Sequence, residues 1–188
     1  RPLVLLLHGF PELAYSWRNV MLPLADAGYH VVAPDQRGYG RTTGWNSDYN
    51  GDLAPFAITN LVRDVLGLVW ALGRRHVLAV VGHNFGSPVA AYCALMRPDV
   101  FRSVVMMSAP FAGPPPPTAM LEGINPLCDG EAVQSEPEVH CALAALERPR
   151  KHYQWYYSTP EANDDMRHYT QGVHDFLRAY FHYKSADW

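Results

Sequence analysis

Residues Val80-Val81-Gly82-His83-Asn84-Phe85-Gly86-Ser87-Pro88 constrain the fold more than any other stretch of this chain. An apolar, β-like run from His76 to Val81 enters a turn bracketed by Gly82 and Gly86, and an apolar, helix-like run leaves from Pro88. Small flanking residues let a strand and a helix pack closely around a sharp bend. The bend pushes its middle side chain out over the end of the sheet on a strained backbone. Such a turn presents a nucleophile, and its centre asks for Ser, Cys or Asp. Position 84 holds Asn.

The stretches on either side supply the rest of a sheet. Leu3 to Leu7 is continuously apolar, as a strand buried on both faces of a parallel sheet must be. Trp17 to Ala27 reads as a helix, with Ser16 at its N-cap and Gly28 at its C-terminal end. A second strand is expected over Tyr29 to Ala33, and a polar surface loop from Thr42 to Pro55. Thr59 can cap the next helix, on which Leu61, Val62, Val65, Leu66, Val69 and Leu72 fall at helical spacing until Gly73. Strand His76 to Val81 follows. The helix Val89 to Met96 is apolar nearly all round and should be buried, and Phe101 to Met107 gives a fourth strand. Strands alternating with helices in this way predict an α/β fold with a doubly wound, mostly parallel sheet and right-handed crossovers.

The pattern changes after Pro110. Gly113 and the prolines 114–117 read as a stiff exit into an inserted helical region. Within it, His140 to Leu146 is expected to be helical, and Val173, Phe176, Leu177, Tyr180 and Phe181 form an apolar stripe on another helix. Tyr153, Trp155, Tyr156 and Tyr157 cluster between them. The expected division is therefore a partial α/β core over 1–111 and the beginning of a helical lid over 112–188. The lack of an initiator Met and the abrupt start on a strand read as an internal segment of a longer protein.

Of the 188 residues, 48% are apolar, which is enough for a real core, and the net charge of -3 gives no reason to expect nucleic acid. Cys93, Cys128 and Cys141 are odd in number and lack metal-ligand spacing, so free thiols in a reducing, cytoplasmic setting are expected, with no metal. No apolar run approaches the ~20 residues of a membrane span.

A nucleophile that forms an ester also needs an oxyanion site when that ester is hydrolysed, usually built from backbone N–H groups of two loops. Phe85, which follows the nucleophile position, supplies one N–H. Phe10, in the loop His8-Gly9-Phe10-Pro11 at the end of the first strand, supplies the other, and Pro11 stiffens that loop. His8 is expected to brace the loop rather than act as a base.

Three motifs, His8-Gly9-Phe10-Pro11, Asp35-Gln36-Arg37-Gly38-Tyr39-Gly40 and Gly82-His83-Asn84-Phe85-Gly86, in this order and spacing, resemble the α/β-hydrolase fold. Within it they are most similar to the soluble epoxide hydrolases. The lid segment His152-Tyr153-Gln154-Trp155-Tyr156-Tyr157, followed by Pro160-Glu161, adds to the similarity. The resemblance implies a cofactor-independent reaction of a small apolar epoxide with water, in which an Asp at position 84 forms a covalent ester and Tyr153 donates to the epoxide oxygen. It places His8, Gly9, Pro11, His83 and Trp155 around the substrate. It implies that the His base, its acid and a second lid tyrosine follow Trp188, and it allows a homodimer. Asp35 is expected to be structural, and Arg37 and Arg41 to anchor loops.

Asn84 departs from the family pattern. An amide has nearly the shape of a carboxylate but is uncharged and a poor nucleophile. Three readings stand: an inactivated Asp-to-Asn form, a relative that binds without hydrolysing, or an ancestral Ser that would make an esterase or lactonase. The isosteric shape and Tyr153 favour the first. Phe at 10 and at 85 argues against a haloalkane dehalogenase, which would place a polar or Trp halide donor there. Phe85 also removes the Arg that a fluoroacetate dehalogenase would need.

Overall fold

A computed structural model describes residues 1–111, 113 and 136–186 of the chain. The prolines 114–117 and Cys128 lie outside the described residues. Contacts divide the chain into two compact units, Arg1–Gly113 and Pro114–Trp188.

In the first unit, four strands form one parallel sheet in the order β2-β1-β3-β4. They are β1 (Leu3–Leu7), β2 (His30–Val32), β3 (Ala79–His83) and β4 (Val104–Met107). All five residues of β1 are buried, because this strand has neighbours on both edges and packing on both faces. Helix α1 (Arg18–Asp26) links β1 to β2. Helix α2 (Ile58–Ala71) precedes β3, and α3 (Gly86–Met96) links β3 to β4. The core joins Leu5 and Leu7 of β1 and Val80 of β3 to Val62, Val65 and Val69 of α2 and to Val89 and Cys93 of α3.

Several boundaries differ from the expected ones. Ser16 does not cap α1: a 3₁₀ turn over Ala14–Trp17 runs straight into the helix, so Ser16 lies within helical backbone. The cap comes from far along the chain, where Asp35 Oδ1 accepts the Ala14 N–H at 2.9 Å. Thr59 likewise falls inside α2. A 3₁₀ turn over Ala54–Phe56 delivers the chain to Ala57, whose carbonyl accepts the Asn60 and Leu61 amides, so the helix starts early. Gly73 ends this segment with φ +67°, a conformation that favours glycine.

Strand β3 is displaced toward the turn from the expected span, since its pairing runs from Val4↔Ala79 to Leu7↔Gly82 and from Val80↔Val104 to His83↔Met107. The following helix begins at Gly86, three residues before the expected start. Pro88 fits its first turn, where a missing N–H leaves no hydrogen bond unmade. Only the front of α3 is buried; Leu95 and Met96 in its last turn are exposed.

The second unit holds four described helices, Glu136–Ala144, Tyr153–Tyr157, Pro160–Arg167 and Val173–Tyr183. The first ends two residues short of the expected Leu146. On the last, Phe176, Leu177 and Tyr180 are half-buried, whereas Val173 and Phe181 of the expected stripe are exposed in its outer turns. Among the described residues, no helix is long and apolar enough to cross a membrane.

Candidate active site

The turn after β3 carries Asn84 at φ +51°, in the left-handed region that a side chain adopts only when the surroundings hold it there. Three contacts do so. The Asn84 N–H donates to Met107 O at 2.9 Å, and its carbonyl accepts the Ser87 N–H at 3.0 Å. Its side-chain Oδ1 accepts the Phe10 N–H at 3.1 Å.

The flanking glycines are required by close approach. A Cβ on Gly82 would lie 2.1 Å from Gly86 O, and one on Gly86 would lie 2.2 Å from Leu7 O. The same holds across the gap to the first loop, where a Cβ on Gly9 would meet Asn84 Cβ at 2.4 Å and Oδ1 at 2.6 Å. The side chain of residue 84 is therefore pressed against bare backbone of the loop that supplies the Phe10 amide.

Ser87 ties this turn to the next strand. Its fully buried hydroxyl lies 2.8 Å from both Gly82 O and Met107 O, and it accepts the Met107 N–H at 3.0 Å. Sequence reasoning missed this residue. The available signal was one polar side chain at the start of an otherwise apolar helix.

His8 is fully buried, with its Nδ1 on Gly9 O at 2.9 Å and its Nε2 accepting the Gln36 N–H at 3.0 Å. Those two contacts fix the tautomer, with the proton on Nδ1. Gln36 also donates from its side chain to His8 O, and the Tyr39 ring packs edge-on to His8 at 4.9 Å. Both ring nitrogens of His8 are thus used in holding the Gly9-Phe10 loop against the loop after β2. Burial raises the Tyr39 phenol pKa above its ordinary value. Gln36 and Glu12 were likewise missed from the sequence. Glu12 Oε2 accepts from His83 Nδ1 at 2.7 Å, joining the loop after Pro11 to the residue before position 84. The Phe10–Pro11 bond is cis.

Asp35 accepts Ala14 N–H through Oδ1 and Arg41 N–H, at 3.2 Å, through Oδ2. Burial raises its pKa, but these two backbone donors and the neighbouring positive charge lower it, and together they hold the carboxyl below its ordinary value. Arg37 forms a two-pronged pair with Asp64 of α2, its Nε lying 2.7 Å from Oδ2. The cleft beside this pair is lined by α2 and the loop after β2, and not by Asn84.

The second unit presents its aromatics unevenly. Tyr153 is half exposed, with ring contacts to His152 and Tyr157, and its hydroxyl makes no hydrogen bond among the described residues. Trp155, Tyr156 and Tyr157 are more buried. The Tyr156 hydroxyl donates to Asp165, and that hydrogen bond is the main reason its pKa is pushed up to about 12. His152 Nδ1 is buried without a hydrogen-bond partner among the described residues. Cys93 and Cys141 are free; burial pushes the Cys93 thiol up to about 12. Among the described residues, no cluster of His, Cys, Asp and Glu could hold a metal ion.

A parallel sheet, a left-handed residue between β3 and α3, and an amide from the β1 loop reaching that residue define a hydrolase scaffold. The chain belongs to the alpha/beta hydrolase fold family, which it matches over residues 2–126. Its relatives are more particular. It is 51% identical over 112 residues to epoxide hydrolase B of Mycobacterium tuberculosis, covering 60% of this chain and 30% of that protein. It is 41% identical over 124 residues to epoxide hydrolase 3 of Siraitia grosvenorii, covering 66% of this chain and 37% of that one. Among solved structures, epoxide hydrolase A from Mycobacterium thermoresistibile matches with a TM-score of 0.62 at 35% identity, over 88% of this chain and 44% of that chain. An epoxide hydrolase from an endophytic Streptomyces matches with a TM-score of 0.56 at 44% identity, over 66% of this chain and 37% of that one. The chain spans about a third of the length of the curated relatives it matches.

Proposed function

We propose that this chain carries the nucleophile side of an epoxide hydrolase, and that the reaction runs through an ester on an aspartate at position 84. The observation that carries the reading is the Phe10 N–H on Asn84 Oδ1 at 3.1 Å, at a residue held at φ +51°. A carboxylate of the same shape would have one oxygen fixed by that amide and the other free to attack an epoxide carbon. The names of the relatives support the same substrate class.

In this reading the C–O bond of the epoxide breaks as the ester forms on the carboxylate at position 84, and the Tyr153 phenol donates its proton to the leaving alkoxide. Water then attacks the ester carbonyl. The amides of Phe10 and Phe85 hold the oxyanion, the Phe85 amide being among those at the start of α3 that lack a partner within the helix. A His base and its acid, which activate that water, are assigned to positions outside these 188 residues. Residues 1–111 form the core and 112–188 the beginning of the lid, with His8, Gly9, Pro11, His83 and Trp155 around the substrate. The encoded Asn84 lacks a nucleophilic oxygen, so the first step fails until a carboxylate stands there.

The test is Asn84→Asp in the intact protein, assayed for diol formation on a panel of epoxides, with a single turnover in ¹⁸O-water. Label should enter the side-chain carboxylate at position 84 before it reaches the diol, and the rate should exceed that of the fresh Asn84 protein by about 10³-fold or more. An inert Asn84→Asp protein beside an Asn84→Ser protein that cleaves esters would replace this reading with an esterase.

A further inference from the structure

In the second unit, two pairs of side chains four residues apart each share one face of a helix: Tyr153 with Tyr157, and Tyr180 with Lys184. Lys184 brings the pairs together. It follows the helix Val173–Tyr183, where the carbonyls of the last turn favour a cation. Its Nζ donates to the Tyr180 hydroxyl and lies 4.3 Å from the Tyr180 ring centroid and 5.7 Å from that of Tyr153. Tyr180 thus holds the ammonium at the Tyr153 ring, within the reach of a cation–π contact. His152 packs on the same ring at 5.1 Å and Tyr157 edge-on at 5.9 Å, while the Tyr153 hydroxyl makes no hydrogen bond among the described residues.

Tyr156, on the same helix, is arranged otherwise. Lys151 lies 5.5 Å from its ring centroid, but its hydroxyl is committed to the Asp165 carboxylate, which opposes loss of the phenol proton. A phenol that gives up its proton needs a free hydroxyl together with a nearby cation. Of these two tyrosines, Tyr153 has both.

The proposed reaction moves negative charge from position 84 to Tyr153. The carboxylate becomes a neutral ester as its oxygen bonds to the epoxide carbon, the epoxide C–O bond breaks, and the Tyr153 proton passes to the alkoxide oxygen, leaving a phenolate. The proton that water releases on attacking the ester later returns to that phenolate. A cation at the ring interacts more strongly with the phenolate than with the neutral phenol, so it favours ring opening rather than substrate binding.

We infer that Lys184 is a positioning residue for ring opening, its ammonium held by Tyr180 against Tyr153 so that it stabilises the phenolate formed there. The inference rests on the proposed function. Lys184 is exposed and Tyr153 is half exposed, so the effect is modest and screened by salt.

The experiment measures ester formation by rapid quench in the intact Asn84→Asp protein, with styrene oxide and the other epoxides of the panel. Lys184→Met should slow ring opening by about 3–10-fold at low salt with binding little changed, and the loss should shrink toward nothing at about 1 M salt. Lys184→Gln is carried beside it, so that a folding defect in one variant leaves the other to be read. Lys184→Arg should restore most of the rate. Lys151→Met, which removes the cation at Tyr156, should match the parent. In a Tyr153→Phe background, Lys184→Met should cost nothing further. No loss at all, a loss that Arg does not restore or salt does not screen, an equal loss in Lys151→Met, or the same loss without the Tyr153 hydroxyl overturns the proposal. If the Asn84→Asp protein opens no epoxide, or Tyr153→Phe does not slow it, the functional reading itself fails. If it is active and slowed by Tyr153→Phe but indifferent to Lys184→Met, only the role of Lys184 fails.

Discussion

The backbone N–H of Phe10 donates to the side-chain Oδ1 of Asn84 at 3.1 Å, across a separation of 74 residues in the chain. That bond is possible because Gly9 has no side chain. With a Cβ there, the two loops would have to part.

Gly9→Ala is therefore expected to damage both the fold and the site. The added methyl meets Asn84 Cβ at 2.4 Å and His83 O at 2.8 Å, neither of which is the far end of a flexible side chain. Overpacking of this kind costs about 1–3 kcal/mol. The urea midpoint should fall accordingly, and the Asn84→Asp form should lose its epoxide turnover when Gly9 is replaced. An unchanged midpoint would mean that the loops separate freely.

Ser87→Ala should destabilise the protein by about 1–3 kcal/mol, because it removes the buried hydroxyl that accepts the Met107 N–H and donates to Gly82 O or Met107 O. Hydrogen exchange offers a local check: the Met107 amide, which donates to Ser87 Oγ, should lose protection before the amides of β1 do.

Asp35 gives a pH dependence with a defined sign. Its folded pKa lies below the ordinary value of 3.8, so the unfolded chain binds the proton more readily than the fold does. Stability from this group is present above the unfolded pKa and is lost as pH falls through the lower, folded one. Urea midpoints measured from about pH 5 downward should drop more steeply for the natural sequence than for Asp35→Asn. Parallel curves would show that the Ala14 and Arg41 amides contribute nothing through the charge.

The two tyrosines at the ends of one helical turn should behave differently. In the Asn84→Asp form, Tyr153→Phe should slow ring opening by about 10²–10⁴-fold with little change in binding. Tyr156→Phe should leave turnover near its starting value, because the Tyr156 phenol is committed to Asp165. Equal losses in pre-steady-state ring opening would assign both residues to packing.

How much was legible beforehand varies with the distance over which each contact acts. The apolar run of β1, the helical spacing of Leu61, Val62, Val65, Leu66 and Val69, and the glycines at 82 and 86 all express local rules, and the fold keeps them. The N-caps did not follow. Ser16 and Thr59 obey the local preference, yet 3₁₀ turns placed both inside helical backbone and gave the capping of Ala14 to Asp35.

The sequence by itself determined that residue 84 stands at a strand-to-helix turn bracketed by Gly82 and Gly86, since strand period, apolar runs and small residues are read along the chain. Only the tertiary structure decided what surrounds that residue. The Phe10 amide, the Glu12–His83 contact, the Gln36 clamp on His8 and the Ser87 bridge to Met107 each join segments that meet only after the sheet has formed. A hydrogen bond at this range leaves no period in the sequence, because its partners are chosen by strand order and register rather than by spacing.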